Sequence, residues 1–497
     1  MSKVGNAFFA FSFAFLYVVL AAITSLSQNI VASAKVDTKK SSVSVSGSYL
    51  GHEAAGQRRH LSFLKSGIGL PDLANRISNL MLADKTGKLI AYKRLDAGEF
   101  VSEADFVRWS YKTNIAVPKN PRASAHVSWL SNNYGILMLD DLFPQFSNAA
   151  PKVSATVTIE IPEGWKIFST EKRVGPATFE VTNIEKAVFV VGTDLREKKV
   201  NIGSSVLNVA TAGRWLFTDA ESAKIGEEIY SEYLRIFASS PAENFQISIV
   251  PFPQNYIQTS TWEADTRGRT VTIVSADMPF KTQSVQRLNE QLRHEIFHLW
   301  LPNGVSLSGN YDWFYEGFAL YQSLKTGVAL NQIRFEDFLD TLSRAHNIDT
   351  MQTSSLSLME ASQNRWNGAD TQVYARGMLV AFMCDLVVLQ SSKGRNSIDH
   401  IFRKLYASHR PPNPVSDANT SILKVLELHP QLAPVVERYI KGSQKIDWQI
   451  QLDAAGIENE PGNSGTNLRV KAKLNGGQKA LLDKLGYNNW RKLARKS

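Results

Sequence analysis

The chain has 497 residues, an apolar fraction of 43% and a formal net charge of +9. That size and composition suit a globular protein of two or three domains and exclude a disordered or fibrous one. Cys384 is the only cysteine, which excludes an intramolecular disulfide and a cysteine-ligated zinc cluster.

In chain order, Lys3 precedes the apolar run "AFFAFSFAFLYVVLAAI", and a small-x-small pair follows at Ala32 and Ala34. Together they read as a signal peptide over residues 1–34, cleaved after Ala34, and predict an exported protein, periplasmic or extracellular. An uncleaved membrane anchor is the alternative. No other stretch reads as spanning a bilayer. Residues 35–49, "KVDTKKSSVSVSGSY", are rich in Ser and Lys and read as a flexible leader.

From 50 to 212 the pattern is mostly period two. In "KVSATVTIEIP", Val153, Ala155, Val157, Ile159 and Ile161 alternate with polar residues, and Pro162 stops the strand. "AVFVVG" and "SSVLNVATAG" repeat the pattern and end at glycines. This half is predicted to be an N-terminal antiparallel β-domain. Past Gly213 the period changes: Ile225, Ile229, Tyr233 and Phe237 recur every four residues, a helix face. Two strands follow, "FQISIVP" and "RTVTIVS", then the long helix "QSVQRLNEQLRHEIFHLW". From there to 455 the chain reads as mostly helical. "ENEPGNSG" reads as a linker into a basic tail, 456–497. Between Asn463 and Ser497 nine basic residues stand against the single acid Asp483, so the rest of the chain is near neutral. Such a tail can touch an anionic surface. Tyr487 and Trp490 are too few for a nucleic-acid stacking platform, so a solvated terminal extension is the reading adopted.

The chemistry lies in the long helix. His294 and His298 are four apart, on one side and one turn from each other, so their imidazoles can converge on one ion. Glu295 is rotated about 100° around the helix, beside the ion rather than on it. Neutral imidazoles suit zinc, and a neighbouring glutamate suits a proton acceptor for an activated water. A third ligand is supplied by "NYDWFYEGFALYQSLKTG". In this predicted helix Asp312 caps the start, Gly327 ends it and Glu316 sits in the first turn, eighteen positions after His298. "LPNG" between the helices lets the chain turn back. Two histidines and one glutamate form a catalytic set with one position free, since a structural site usually has four protein ligands.

"HEIFHLW" followed by "WFYEGFALY" resembles the gluzincin metallopeptidases. Further on, "VYARGMLVAFMCDLVV" resembles their tyrosine-bearing helix, Y-x-[KR]-G before an apolar run. Within that group the chain is most similar to the glycyl aminopeptidase family, whose members read WF-x-EG, and "RASAHVSWLSNNYGILMLDDLFP" is similar to that family's β-domain. The likeness spans roughly residues 60 to 455. It implies an α+β multidomain fold: the N-terminal β-domain, then a thermolysin-like, mostly helical zinc peptidase domain over 213–455. It implies one zinc held by His294, His298 and Glu316, Glu295 as general base and then acid, and Tyr374 as hydrogen-bond donor to the oxyanion. It implies a peptide or protein substrate, cleaved as an aminopeptidase does. The G-x-M-E-N loop of the larger aminopeptidases is absent, however. "TSTWEADTRGRTVTI" stands where the glycyl aminopeptidase family carries a G-L-E-H-like segment, with Glu263 a loose match, and no PDZ domain is expected after 456. An endopeptidase, a hydrolase of another amide and a non-enzymatic zinc-containing binding protein are therefore the alternatives.

Overall fold

A computed structural model describes residues 30–49, 59–145, 154–254, 257–259, 261–352, 356–460 and 465–489. Its first domain is built on alternation. Ile30, Ala32, Ala34 and Val36 turn one buried face of the strand Ile30–Asp37 inward, as Val43 and Val45 do on Ser42–Tyr49. These strands pair antiparallel, Ile30 opposite Tyr49 and Asp37 opposite Ser42. On its other side Ile30–Asp37 pairs parallel with Ala155–Glu160, the strand with the clearest sequence alternation. They form the middle of an eight-stranded, otherwise antiparallel sheet. A four-stranded sheet containing Tyr134–Met138 and Val188–Gly192 shares its core, where Leu137 and Phe189 meet Trp109 and Phe179.

Two sequence expectations are corrected here. Residues 35–49 are not a flexible leader: they complete one strand and form the next. Cleavage after Ala34 would cut a central strand between Ala34, paired with Val45 and Ile159, and Lys35, paired with Ser44 and Glu160. The apolar run of the expected signal peptide lies outside the described residues.

The second domain begins earlier than 213. Ser205–Thr211 carries the period-two pattern of the β-domain yet joins a different sheet, ordered Arg196–Ile202, Ser205–Thr211, Asn244–Pro251, Thr270–Ser275, Trp262–Arg267. The last strand runs antiparallel to its neighbour and forms the edge of the sheet. The helix Asp219–Phe237, started by a Thr218–Glu221 capping box, and the helix Lys281–Phe297 bury their apolar faces in the same core as this sheet. A further cluster joins the domains, with Trp129, Ile136 and Val190 of the first against Val250 and Val274 of the second.

The rest of the second domain is helical. Gln372–Ser391 is long and apolar enough to cross a membrane, contrary to expectation, but 89% of an apolar 18-residue window within it is buried inside the domain. It is the central core helix, apolar on every side because every side is covered. The expected tail is also part of this domain. Ile457–Asn459 pairs antiparallel with Leu468–Val470, so Glu458 and Asn459 of the expected linker belong to a strand, and residues 461–464 lie outside the described residues. Ile457, Leu468, Leu482 and Leu485 are buried in the main core.

Candidate metal centre

His294 and His298 lie at the C-terminal end of the helix Lys281–Phe297, which the apolar residues Leu288, Leu292 and Ile296 bury. Glu316 comes from the next helical element. That element opens with a wide π-helical turn, Trp313–Phe318, and continues as an α-helix through Ala329, two residues beyond Gly327. Tyr374 sits in a second such turn, Gln372–Arg376, at the start of the central core helix. Wide turns of this kind recur at functional sites because they re-aim side chains out of the regular helical register. The two turns touch through glycines. A Cβ on Gly317 would lie 2.5 Å from the Cα of Gly377, and one on Gly377 would lie 2.8 Å from the Cα of Gly317. Only glycine at both positions lets the backbones bearing Glu316 and Tyr374 come this close.

The three predicted ligands converge. His294 Nε2 lies 3.1 Å from His298 Nε2 and 3.2 Å from Glu316 Oε2, and His298 Nε2 lies 3.6 Å from the same oxygen. Donors about 2.05 Å from a tetrahedral zinc are about 3.3 Å apart. The triangle therefore has the size that such an ion requires, and the donor set fits zinc. His298 Nδ1 lies 2.9 Å from the carbonyl oxygen of Leu301. An N–H donated there leaves Nε2 as the lone pair facing the site. Burial raises the Glu316 pKa, but the hydrogen bonds from His294 and His298 outweigh it and hold the carboxyl well below its usual range. For His298, burial lowers the pKa, while the Glu316 hydrogen bond and charge lift it to about 9. A metal at these atoms must displace that proton, so its affinity falls with pH.

Glu295 is buried beside the histidines, and its Oε2 accepts a hydrogen bond from the Thr266 hydroxyl at 2.7 Å. Burial raises its pKa; His294, His298 and Thr266 pull the other way. A carboxyl pushed upward in a cleft is a better proton acceptor than an exposed one. Tyr374 and Glu295 line the same cavity, of about 1160 Å³. Burial, and then the charge of Glu316, raise the phenol well above its ordinary pKa, so it is a neutral donor at physiological pH.

Several functional neighbours carry no sequence motif. Thr266 lies on the edge strand and reaches Glu295 across 29 positions. Asp312 stands at the N-cap position as expected, but its side chain makes no capping hydrogen bond; its Oδ1 accepts from Arg365 at 2.6 Å and from the Tyr315 hydroxyl at 2.9 Å. Arg365 also donates to Glu316 and Tyr374. An arginine beside a tryptophan in the polar stretch "NRWNGAD" is the only signal it leaves in the sequence. The first domain contributes to the cleft as well. His126 Nδ1 lies 3.5 Å from Asp265 and its Nε2 lies 3.8 Å from Glu263, both on the edge strand. Arg267 donates to Asp265 at 2.6 Å and also pairs with Asp140. Glu263, the loose match noted in the sequence, thus faces a histidine.

No protein-family model and no curated protein matches the chain. Solved structures do. An aminopeptidase N family protein from Idiomarina loihiensis has a TM-score of 0.73 at 14% identity, over 87% of this chain and 79% of that one. The M1 zinc metallopeptidase of Deinococcus radiodurans has a TM-score of 0.52 at 16% identity, over 84% and 94% of the two chains. A variant of that enzyme bound to a Tyr-Ser-Ala substrate has a TM-score of 0.55 at 14% identity, over 84% and 95%. At this level of identity the likeness is one of fold: an N-terminal β-domain followed by a mostly helical domain, the architecture of M1 aminopeptidases.

Proposed function

We propose that the chain is a zinc-dependent peptidase, with His294, His298 and Glu316 as metal ligands and one zinc per chain. The observation that carries this reading is the triangle of donor atoms at 3.1, 3.2 and 3.6 Å, with Glu295 buried beside it in a large cleft. A zinc ion held there supplies Lewis acidity and an activated water. Glu295 takes the proton of the attacking water and later delivers it to the leaving amine. Thr266 holds Oε2 of that carboxylate, leaving Oε1 for the water. Tyr374 donates to the carbonyl oxygen as negative charge develops on it. The edge strand Trp262–Arg267 runs along the cleft, where an extended peptide can lie.

The aminopeptidase N family name of the Idiomarina loihiensis neighbour favours an aminopeptidase. One observation favours an endopeptidase instead. Glu263 and Asp265, the carboxylates of the edge strand beside the cleft, are paired with His126 and Arg267. Neither is a free anion ready to receive a substrate's amine. The test is metal analysis of the purified protein, then digestion of matched peptides with free and acetylated N-termini. Zinc-dependent cleavage, abolished by chelator and restored by zinc, supports the peptidase. Loss of cleavage on acetylation supports the aminopeptidase, and equal rates the endopeptidase. Zinc-loaded protein that cleaves neither series contradicts both.

A further inference from the structure

Arg365 opens a short 3-10 turn, Arg365–Asn367, after the helix Leu358–Gln363. Its side chain is 9% exposed, and every face of its guanidinium is engaged. Nε donates to Asp370 at 3.1 Å. Nη1 donates to Asp312 Oδ1 at 2.6 Å and to Glu316 Oε1 at 3.2 Å. Nη2 donates to the Tyr374 hydroxyl oxygen at 2.5 Å. The cation also lies 5.1 Å from the centre of the Tyr374 ring and 4.6 Å from that of Trp366. Asp312 and Asp370 would balance its charge without Glu316 or Tyr374. The further contacts reach one ligand atom's partner oxygen and one predicted donor, two groups of different chemistry from different helices.

Each contact has a chemical consequence. Glu316 has two oxygens. With Oε1 engaged by Arg365, Oε2 is the one that faces His294 and His298. The glutamate then offers one oxygen to an ion rather than two, and a coordination position stays open. The Tyr374 oxygen both accepts and donates. Arginine has five N–H donors, no acceptor, and does not lose its proton in proteins. It can therefore only occupy a lone pair of the phenol and does not consume the phenol's own proton, which Glu316 shares in this structure.

We propose that Arg365 is a positioning residue that restricts Glu316 to a single ligating oxygen and aims the Tyr374 hydroxyl into the cleft. The second half rests on the peptidase reading above; the first half does not. The test uses Arg365→Met and Arg365→Lys, each alone and combined with Tyr374→Phe, in the full-length protein. Zinc affinity is read by competition with a chromophoric chelator, and kcat and KM with a peptide substrate. Arg365→Met is expected to weaken zinc binding roughly ten- to a hundredfold. It should lower kcat about a hundredfold with KM changed less than about threefold. In the Tyr374→Phe background the same substitution should cost kcat only a few fold, because the group it positions is gone. Arg365→Lys keeps the charge without the fork and should recover part of both losses; it also carries the test if Arg365→Met does not fold. Zinc affinity and kcat at the parental level in either variant would overturn the proposal, as would losses that multiply fully in the double variants. A wild-type protein that binds zinc but cleaves no peptide would sink the peptidase reading alone, since the zinc arm reads Arg365 without turnover.

Discussion

Gly317→Ala is a one-carbon change that tests how the centre is assembled. The added Cβ would lie 2.5 Å from Gly377 Cα, 2.8 Å from Gly377 C and 2.7 Å from the carbonyl oxygen of Val373. All three are backbone atoms, so no side chain can swing aside. Restoring ordinary contact, at about 3.4 Å, requires the two turns to part by about 0.9 Å. Overpacking of this kind costs about 1–3 kcal/mol. Glu316 is the preceding residue on one turn and Tyr374 lies on the other, so the same movement separates a predicted ligand from the predicted oxyanion donor. A displacement near 1 Å can cost on the order of a hundredfold in rate. The assay is kcat on a peptide at saturating zinc, beside a melting curve and metal content. We expect a lower melting temperature, retained zinc and kcat reduced roughly thirty- to a hundredfold. A Gly317→Ala protein with parental kcat and parental melting temperature would refute the argument that this contact sets the geometry.

Three further outcomes follow from particular contacts. Tyr374→Phe should lower kcat about a hundredfold at full zinc content and near-parental stability; a variant that only melts earlier, with parental kcat, would make Tyr374 a packing residue. Burial lowers the His126 pKa, but the Asp265 and Glu263 carboxylates outweigh it and lift it from 6.5 to about 9. Its contribution to stability is therefore complete below pH 6.5 and lost as pH rises to about 9, at most about 3 kcal/mol. His126→Gln should flatten the stability profile in that window, and an unchanged slope would refute the pairing. Finally, Edman sequencing of any processed form should place its N-terminus before Ile30, for example after the small-x-small pair Ser25 and Ser27. A start at Lys35 would contradict the central strand.

What the sequence could reveal depended on whether the signal was local. Alternation in Ala155–Glu160 and the four-residue spacing of His294 and His298 are local, and both elements form where that spacing puts them. The strand Ile30–Asp37 was misread because Ala32 and Ala34 satisfy two patterns at once: small residues two apart mark a cleavage site and also one face of a strand. Ser205–Thr211 shows a second limit, since period two identifies a strand without naming the sheet it joins. The basic C-terminal region hides few apolar anchors among its charges, with Leu468, Leu482 and Leu485 seating it. In the site, the convergence of the three candidate ligands was legible because a helix brings two of them together and the third lies only eighteen positions on, past a break in the chain. Thr266 and Arg365 were not, because each acts across a fold-dependent distance that no spacing encodes. Gly317 and Gly377 were visible as neighbours of Glu316 and Arg376, but their contact with each other exists only in three dimensions.

The central claim is that this triad holds zinc for hydrolysis with Glu295 as the base, and one paired measurement reaches it most directly. Zinc stoichiometry and peptide turnover should be measured side by side on the parent, Glu295→Gln and His294→Ala. The account predicts about one zinc in the parent and in Glu295→Gln, with turnover in the latter down by roughly two to four orders of magnitude. It predicts loss of both zinc and activity in His294→Ala. Parental turnover in zinc-loaded Glu295→Gln, or full zinc occupancy in His294→Ala, would contradict it.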